Sequence, residues 1–424
     1  MPGRPSSQRR RGSPSRRKPA DPAEPVEPLT ITKDAELRKV CAQLRDAGTF
    51  AFDTEFVMED VYRPEVCVVQ LATEELTAVV DPFEVTDLSP VWELVADPEV
   101  EVVVHAGMED LALCFEQGGL TPHNVFDCQI ACGLVKTDYP LSLARLVRYL
   151  LNVRLKKSQT LTDWRKRPLN EAQLRYAADD VRYLSAARRE LGRKLTRRGR
   201  AGWAKEEMAR FSRPETYARG TDESVLKLKG AGGLDGEGLA IARELLKERA
   251  QLADRFNRPA RVVVRDHLLI EIARHRWTDA AQIKTLRGLN LRANAIEALA
   301  EGVRRARALP ADEWPTPAPA NDETEREAAL ALLVSAVIRS WCADADIAHQ
   351  LVATKKDIGI FVRALVRGET CPPAIGLAHG WRAEQIGKIV REVLGGAKPV
   401  CVGRDGEGLH IQLGASSASG RCQD

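Results

Sequence analysis

Two carboxylates separated by one residue, Asp53 and Glu55, are the first groups in this chain whose types and spacing could do chemistry. They lie in Phe50-Ala51-Phe52-Asp53-Thr54-Glu55-Phe56, a run of aromatic and β-branched residues that reads as a strand. Strand side chains alternate, so Phe50, Phe52, Thr54 and Phe56 share one face while Asp53 and Glu55 sit together on the other. Two ionised carboxylates so placed repel each other and are costly to bury. A divalent cation between them removes both problems. A strand with one solvated face would show the same pattern, so the rest of the chain has to decide.

Two more acids stand where a sheet could bring them to that pair. Asp110 closes His105-Ala106-Gly107-Met108-Glu109-Asp110, where a strand over 100–105 turns at the glycine into a helix. An acid in a first helical turn complements the helix dipole, and the end of a strand is also where α/β sheets place their sites. Asp180 belongs to a helix expected over 170–191, whose buried stripe is Leu174, Ala178, Val181 and Ser185. Asp180 falls at the edge of that stripe, Tyr176 shares its face four residues earlier, and Asp179 points toward solvent. His105 reads first as a core or hydrogen-bonded histidine. His105 and Gln70 are also candidate contacts to substrate or to the site residues.

The elements that must position these groups follow from periodicity. A helix over 34–47 carries Leu37, Val40, Cys41 and Leu44 as its apolar stripe. Strands over 66–71 and 76–80 flank a short polar turn and read as a hairpin. Helices over 88–96 and 141–151 complete a central sheet with helices packed on it.

Beyond about residue 200 the pattern becomes all helical. A connector over 201–221 leads to a first helical unit over 222–308; a Pro-rich linker over 309–322 leads to a second over 323–396. Residues 1–29 read as a disordered basic tail, and 397–424 as a mobile tail with at most one short strand. Gly230-Ala231-Gly232-Gly233 lacks the preceding strand and following Gly-Lys-Ser/Thr of a phosphate loop, and reads as a flexible loop before a helix.

Composition narrows the class. The chain has 424 residues and a net charge of +3, but residues 1–20 alone hold seven Lys/Arg and no acid, which leaves 56 basic against 60 acidic residues elsewhere. Whole-chain charge therefore does not point to nucleic acid; local charge does. Eight Lys/Arg and one acid lie between 145 and 167, and ten Lys/Arg with three acids between 182 and 210. These runs flank Tyr176 and Asp180 and suit a phosphate track. No apolar run reaches the ~20 residues of a transmembrane helix. The nine cysteines lack paired spacing and read as reduced thiols of a cytoplasmic protein.

Taken together, the motifs resemble the ribonuclease D family of DEDD-superfamily 3′→5′ exonucleases, in the subgroup with Tyr in its third motif. Asp53-Thr54-Glu55, Asp110 and Tyr176-x3-Asp180 match the three motifs in order and spacing. Supporting strings are Val68-Val69-Gln70-Leu71-Ala72-Thr73, Phe126-Asp127-x-Gln129-Ile130-Ala131, and Lys157-Ser158 through Asp163-Trp164 to Arg167-Pro168-Leu169. The likeness spans about 30–195, and Arg258-Pro259 within 222–308 resembles the HRDC helical domain, with 323–396 as a weaker second copy.

The resemblance implies a ribonuclease H-like mixed sheet in a nuclease domain over 30–200. It implies a two-metal centre of Mg²⁺ or Mn²⁺ held by Asp53, Glu55, Asp110 and Asp180. Asp53 would bridge both ions, Glu55 and Asp180 would serve the nucleophile side, and Asp110 the leaving-group side. Tyr176 would aim the attacking water, because a phenol titrating near ~10 is a poor base at neutral pH. The implied substrate is RNA with a free 3′ end, tRNA precursors among them, trimmed to 5′-mononucleotides, with no protein partner expected. A Werner-type DNA exonuclease shares the three motifs and is the alternative.

Overall fold

The computed structural model describes residues 27–155, 162–217, 222–317, 323–405 and 408–414. Most of the basic tail and Lys156, Lys157 and Ser158 of the first basic run lie outside the described residues.

Six strands build one mixed sheet: β1 (Leu29–Ile31), β2 (Thr49–Val57), β3 (Glu65–Ala72), β4 (Thr77–Val80), β5 (Glu101–Val104) and β6 (Val125–Asp127). Their order is β1-β4-β3-β2-β5-β6. The expected hairpin is β3 and β4, and β3 runs antiparallel to both β2 and β4; the remaining pairs are parallel. The strand that carries Asp53 and Glu55, β2, is thus interior, and its Phe50 and Phe52 are fully buried.

Helices α1 (Asp34–Ala47), α2 (Ser89–Val95) and α3 (Met108–Gly118) join the phenylalanine side of the core. The stripe Leu37, Val40, Cys41 and Leu44 of α1 is buried as its spacing requires, and Gly48 ends the helix at φ 69°. Then come α4 (Cys128–Gly133), α5 (Leu143–Leu151), α6 (Glu171–Arg182) and α7 (Leu184–Arg197). Asn170 starts α6 with a capping box closed by Gln173. Helix α6 packs across β2, β3 and β4, so the Asp53 side of the sheet is covered rather than solvated.

Four expectations need correction here. The single helix over 170–191 is two, because the chain turns at Tyr183 between α6 and α7. Asp179 does not point into solvent: α7 and its surroundings leave it half-buried, 3.3 Å from Arg182 Nε. Leu174 is only half-buried, and Gln173 takes its place in the buried stripe with Ala177, Ala178 and Val181. The connector contains a helix, α8 (Ala201–Met208), followed by two 3-10 turns.

The first helical unit comprises α9 (Asp222–Leu226), α10 (Gly236–Phe256), α11 (Ala260–Val263), α12 (Asp266–His275), α13 (Ala280–Lys284) and α14 (Ala293–Arg307). The glycine-rich stretch before α10 is ordered, with Ala231 and Leu234 buried in that unit's own core. The second unit comprises α15 (Glu325–Asp344), α16 (His349–Val352), α17 (Lys355–Arg367), α18 (Gly380–Arg382) and α19 (Lys388–Leu394), the last two joined by a π-helical turn. Its core is continuous with that of the nuclease unit. Arg200 donates to the carbonyls of Leu134 and Ala345, and the Trp203 and Trp381 rings stack at 4.5 Å. Where at most one short strand was expected over 397–424, the described residues form a hairpin of β7 (Val400–Asp405) and β8 (Gly408–Leu413); residues 415–424 lie outside the described ones. The second strand of the hairpin meets α15, where Ser340 Oγ donates to the Ile411 carbonyl.

Candidate active site

The C-terminal half of β2 outruns its neighbour. β5 pairs with β2 only through Ala51, so the edge of β2 beyond that residue is open on the β5 side. The chain leaves β5 through Ala106, at φ 61°, and Gly107, where an added Cβ would lie 2.6 Å from Val104 Cβ. That tight turn starts α3 close against the sheet and carries Asp110 to the open edge of β2. There the Thr54 N–H donates to Asp110 Oδ1 at 3.0 Å, and the Thr54 hydroxyl donates to the same oxygen.

From the opposite layer, α6 delivers Asp180 and Tyr176. Carboxylate oxygens of Asp53, Glu55 and Asp180 come within 4.8 Å of one another. Asp110 stands outside that trio, held by Thr54. The Tyr176 hydroxyl donates to the Asp180 carboxylate, and its ring leans on Trp164 with centroids 5.9 Å apart. All five sequence-identified residues line one cavity of about 270 Å³, with His105, Glu109 and Leu143 on its wall. No Lys or Arg lines it among the described residues.

The electrostatics follow from that lining. Burial first, then Asp110, Asp180 and Glu55, push Asp53 well above the usual carboxylate range. Burial, with Asp180 and Asp110, raises Glu55 to about 8. Burial raises Asp180 to about 7 against the opposing Tyr176 hydrogen bond, and Asp110 to about 6 against the Thr54 hydrogen bonds. Four carboxylates, Asp110 buried and Asp53, Glu55 and Asp180 half-buried, with no cationic side chain on the cavity wall are an uncompensated charge. Their all-oxygen donor set fits a hard divalent cation.

One residue, Thr54, takes a role that spacing alone did not assign, while His105 is the hydrogen-bonded histidine its position led one to expect. Thr54 was placed only by its strand face; the signal available was a hydroxyl residue between the two acids. His105 donates from Nε2 to the Leu141 carbonyl at 2.9 Å, which fixes its tautomer, and burial lowers its pKa. It is a neutral wall residue of the cavity.

Comparison with known proteins agrees with this geometry. Residues 28–196 match the family profile described as 3′-5′ exonuclease, and residues 238–293 match the HRDC domain. Ribonuclease D of Bartonella henselae is 31% identical over 375 residues, covering 86% of this chain and 90% of that protein. Ribonuclease D of Jannaschia sp. is 32% identical, covering 87% of this chain and 96% of its own. The crystal structure of Escherichia coli RNase D, an exoribonuclease involved in structured RNA processing, superposes with a TM-score of 0.71 at 26% identity, covering 87% of this chain and 98% of that one. With its mixed sheet, its clustered acids and this likeness over most of its length, the chain belongs to the ribonuclease D family and is a 3′→5′ exoribonuclease.

Proposed function

We propose that the protein trims the 3′ ends of tRNA precursors and other small structured RNAs in the cytoplasm, releasing 5′-mononucleotides one at a time. One observation carries the site assignment: Asp53, Glu55 and Asp180 converge on a single point while Tyr176 is tied to Asp180. Asp53, Glu55, Asp110 and Asp180 would hold Mg²⁺ or Mn²⁺, two ions in all. When bound, these cations neutralise the carboxylates, draw charge from the scissile phosphate and make water a stronger nucleophile. Thr54 keeps Asp110 turned to the site through two hydrogen bonds to one oxygen. Tyr176, anchored by Asp180 and Trp164, orients the attacking water rather than accepting its proton. The hydrophobic residues Leu143 and Leu184 close the wall behind it.

In this reading the nuclease domain covers 30–200, an HRDC-type domain 222–308 and a second helical domain 323–396. The helical units help grip the RNA. Support comes from the loop that leaves β2, where Tyr62 and Arg63 donate backbone N–H groups to Asn257 and Arg63 pairs with Asp254 at 2.6 Å. A cytoplasmic setting agrees with eight described cysteines that are all free. No helix among the described residues is long and apolar enough to cross a membrane.

The test is a 3′-tailed, tRNA-like RNA and a matched DNA incubated with Mg²⁺, Mn²⁺ or EDTA, beside Asp53→Asn. Stepwise release of 5′-mononucleotides from the RNA, lost in EDTA and in Asp53→Asn, is expected. Cleavage that persists in EDTA, or full activity of Asp53→Asn, refutes the assignment.

A further inference from the structure

Gln70 sits in β3 directly opposite Asp53 of β2 and opposite Val79 of β4. Directly opposed residues project from the same face, so its side chain lies beside the Asp53 carboxylate, with Cβ atoms ~5 Å apart. The side chain is fully buried, at 0% exposure. Neither Nε2 nor Oε1 has a hydrogen-bond partner among the described residues. Val68 and Val79 from the sheet, and Ala177 and Ala178 of α6, belong to the apolar cluster packed over this face. A glutamine amide in such a place loses its water and regains nothing, and any apolar side chain of its length would be cheaper.

Position accounts for the cost. Asp53 is central to the acid cluster, since burial and all three other carboxylates act on it. A cationic neighbour would cancel the charge that a divalent ion requires, and a fifth acid would add to the repulsion. A neutral carboxamide supplies a directed donor and changes no charge.

We infer that Gln70 is a positioning residue for the metal site: its Nε2 donates to the Asp53 carboxylate once the cations are bound and turns the acid's free lone pairs toward them. This rests on the assignment of Asp53 as a ligand. The Asp53 carboxylate is the acceptor directly across the strand pair from Gln70. Outer partners of metal ligands act in this way and set affinity as well as geometry.

The experiment uses the full-length protein with Gln70→Leu, Gln70→Met and Asp53→Asn. Mn²⁺ affinity is measured by titration calorimetry, and melting temperature with and without EDTA. Both Gln70 variants are expected to melt at or above the parent temperature in EDTA, because two unpaired buried atoms are gone, while Mn²⁺ binds about 10- to 100-fold more weakly. Unchanged Mn²⁺ affinity in both variants overturns the inference. So does a fall in melting temperature in EDTA for both, which would make Gln70 a structural residue. Asp53→Asn separates the two levels: if it too leaves Mn²⁺ affinity unchanged, the site assignment itself has failed, and if it alone weakens binding, only the role of Gln70 has.

Discussion

Thr54 and Asp110 are joined twice through one atom: the backbone N–H and the hydroxyl of Thr54 both donate to Asp110 Oδ1. The bond crosses from β2 to α3 over 56 residues of sequence and uses the N–H that the short strand β5 leaves unpaired. It spends one carboxylate oxygen on placement and leaves the other for the site.

Removing the hydroxyl should therefore weaken placement more than folding. Thr54→Val keeps the shape and the backbone bond but loses one of the two donors. Stability should fall by about 1 kcal/mol, the ordinary net worth of a buried hydrogen bond. The Asp110 pKa should rise above its present value of about 6, since Thr54 is what holds it down. In EDTA the titration of this carboxyl should therefore lie at higher pH in the variant, which NMR of the metal-free protein over pH will show.

A second prediction concerns the metal-free protein. Glu55 at about 8, Asp180 at about 7 and Asp110 at about 6 all hold protons more tightly than in an unfolded chain. The folded state then binds the extra protons, so their contribution is present below about pH 4 and is lost as pH rises through about 6 to 8. In EDTA the melting temperature should fall across that window, and added Mg²⁺ should restore it most at the alkaline end. A melting temperature that climbs with pH in EDTA contradicts the clustered acids.

Asp53→Asn should separate stability from function. It removes a carboxyl whose ionisation burial and three other acids oppose, so the metal-free protein should lose less stability as pH rises than the parent does. Activity should drop by more than the ~100-fold typical of an outer partner, because the residue proposed as a ligand is gone. Scanning fluorimetry in EDTA and single-turnover cleavage measure the two sides.

Tyr176→Phe tests orientation. The ring keeps its contact with Trp164, and only the bond to Asp180 and the reach toward water are lost. We expect kcat to fall by about 100-fold with KM nearly unchanged, the signature of a misaligned reactant. Loss of that bond should also raise the Asp180 pKa beyond about 7. A variant that loses only KM would make Tyr176 a binding residue.

Arg200 offers a prediction away from the chemistry. Its guanidinium spans the Leu134 and Ala345 carbonyls and so ties α15 and the second helical unit to the nuclease core. Arg200→Met would leave both acceptors without that donor, at about 1–3 kcal/mol for each that stays buried. A single lowered unfolding transition is expected, because the two parts share one core. A separate early transition for the helical unit would show the cores to be independent.

The acids were legible from sequence because their signals are local. Alternation in Phe50–Phe56 places Asp53 and Glu55 on one face, the turn at Gly107 places Asp110 in a first helical turn, and the i,i+4 spacing puts Tyr176 on the face of Asp180. What sequence alone could not supply depends on contacts between distant segments. Helix α6 stops at Arg182 because Leu184 and Ala187 of the next helix are buried in the main core, an energy that no helical stripe within 170–191 reveals. The second helical unit shares the nuclease core in the same way, through contacts such as that of Arg200 with the Ala345 carbonyl 145 residues away. The local pattern determined which residues carry charge and on which face of which element. Only the tertiary structure decided that β5 ends early enough for Thr54 to take Asp110, and that α6 covers the Asp53 face and turns those charges into one buried cluster.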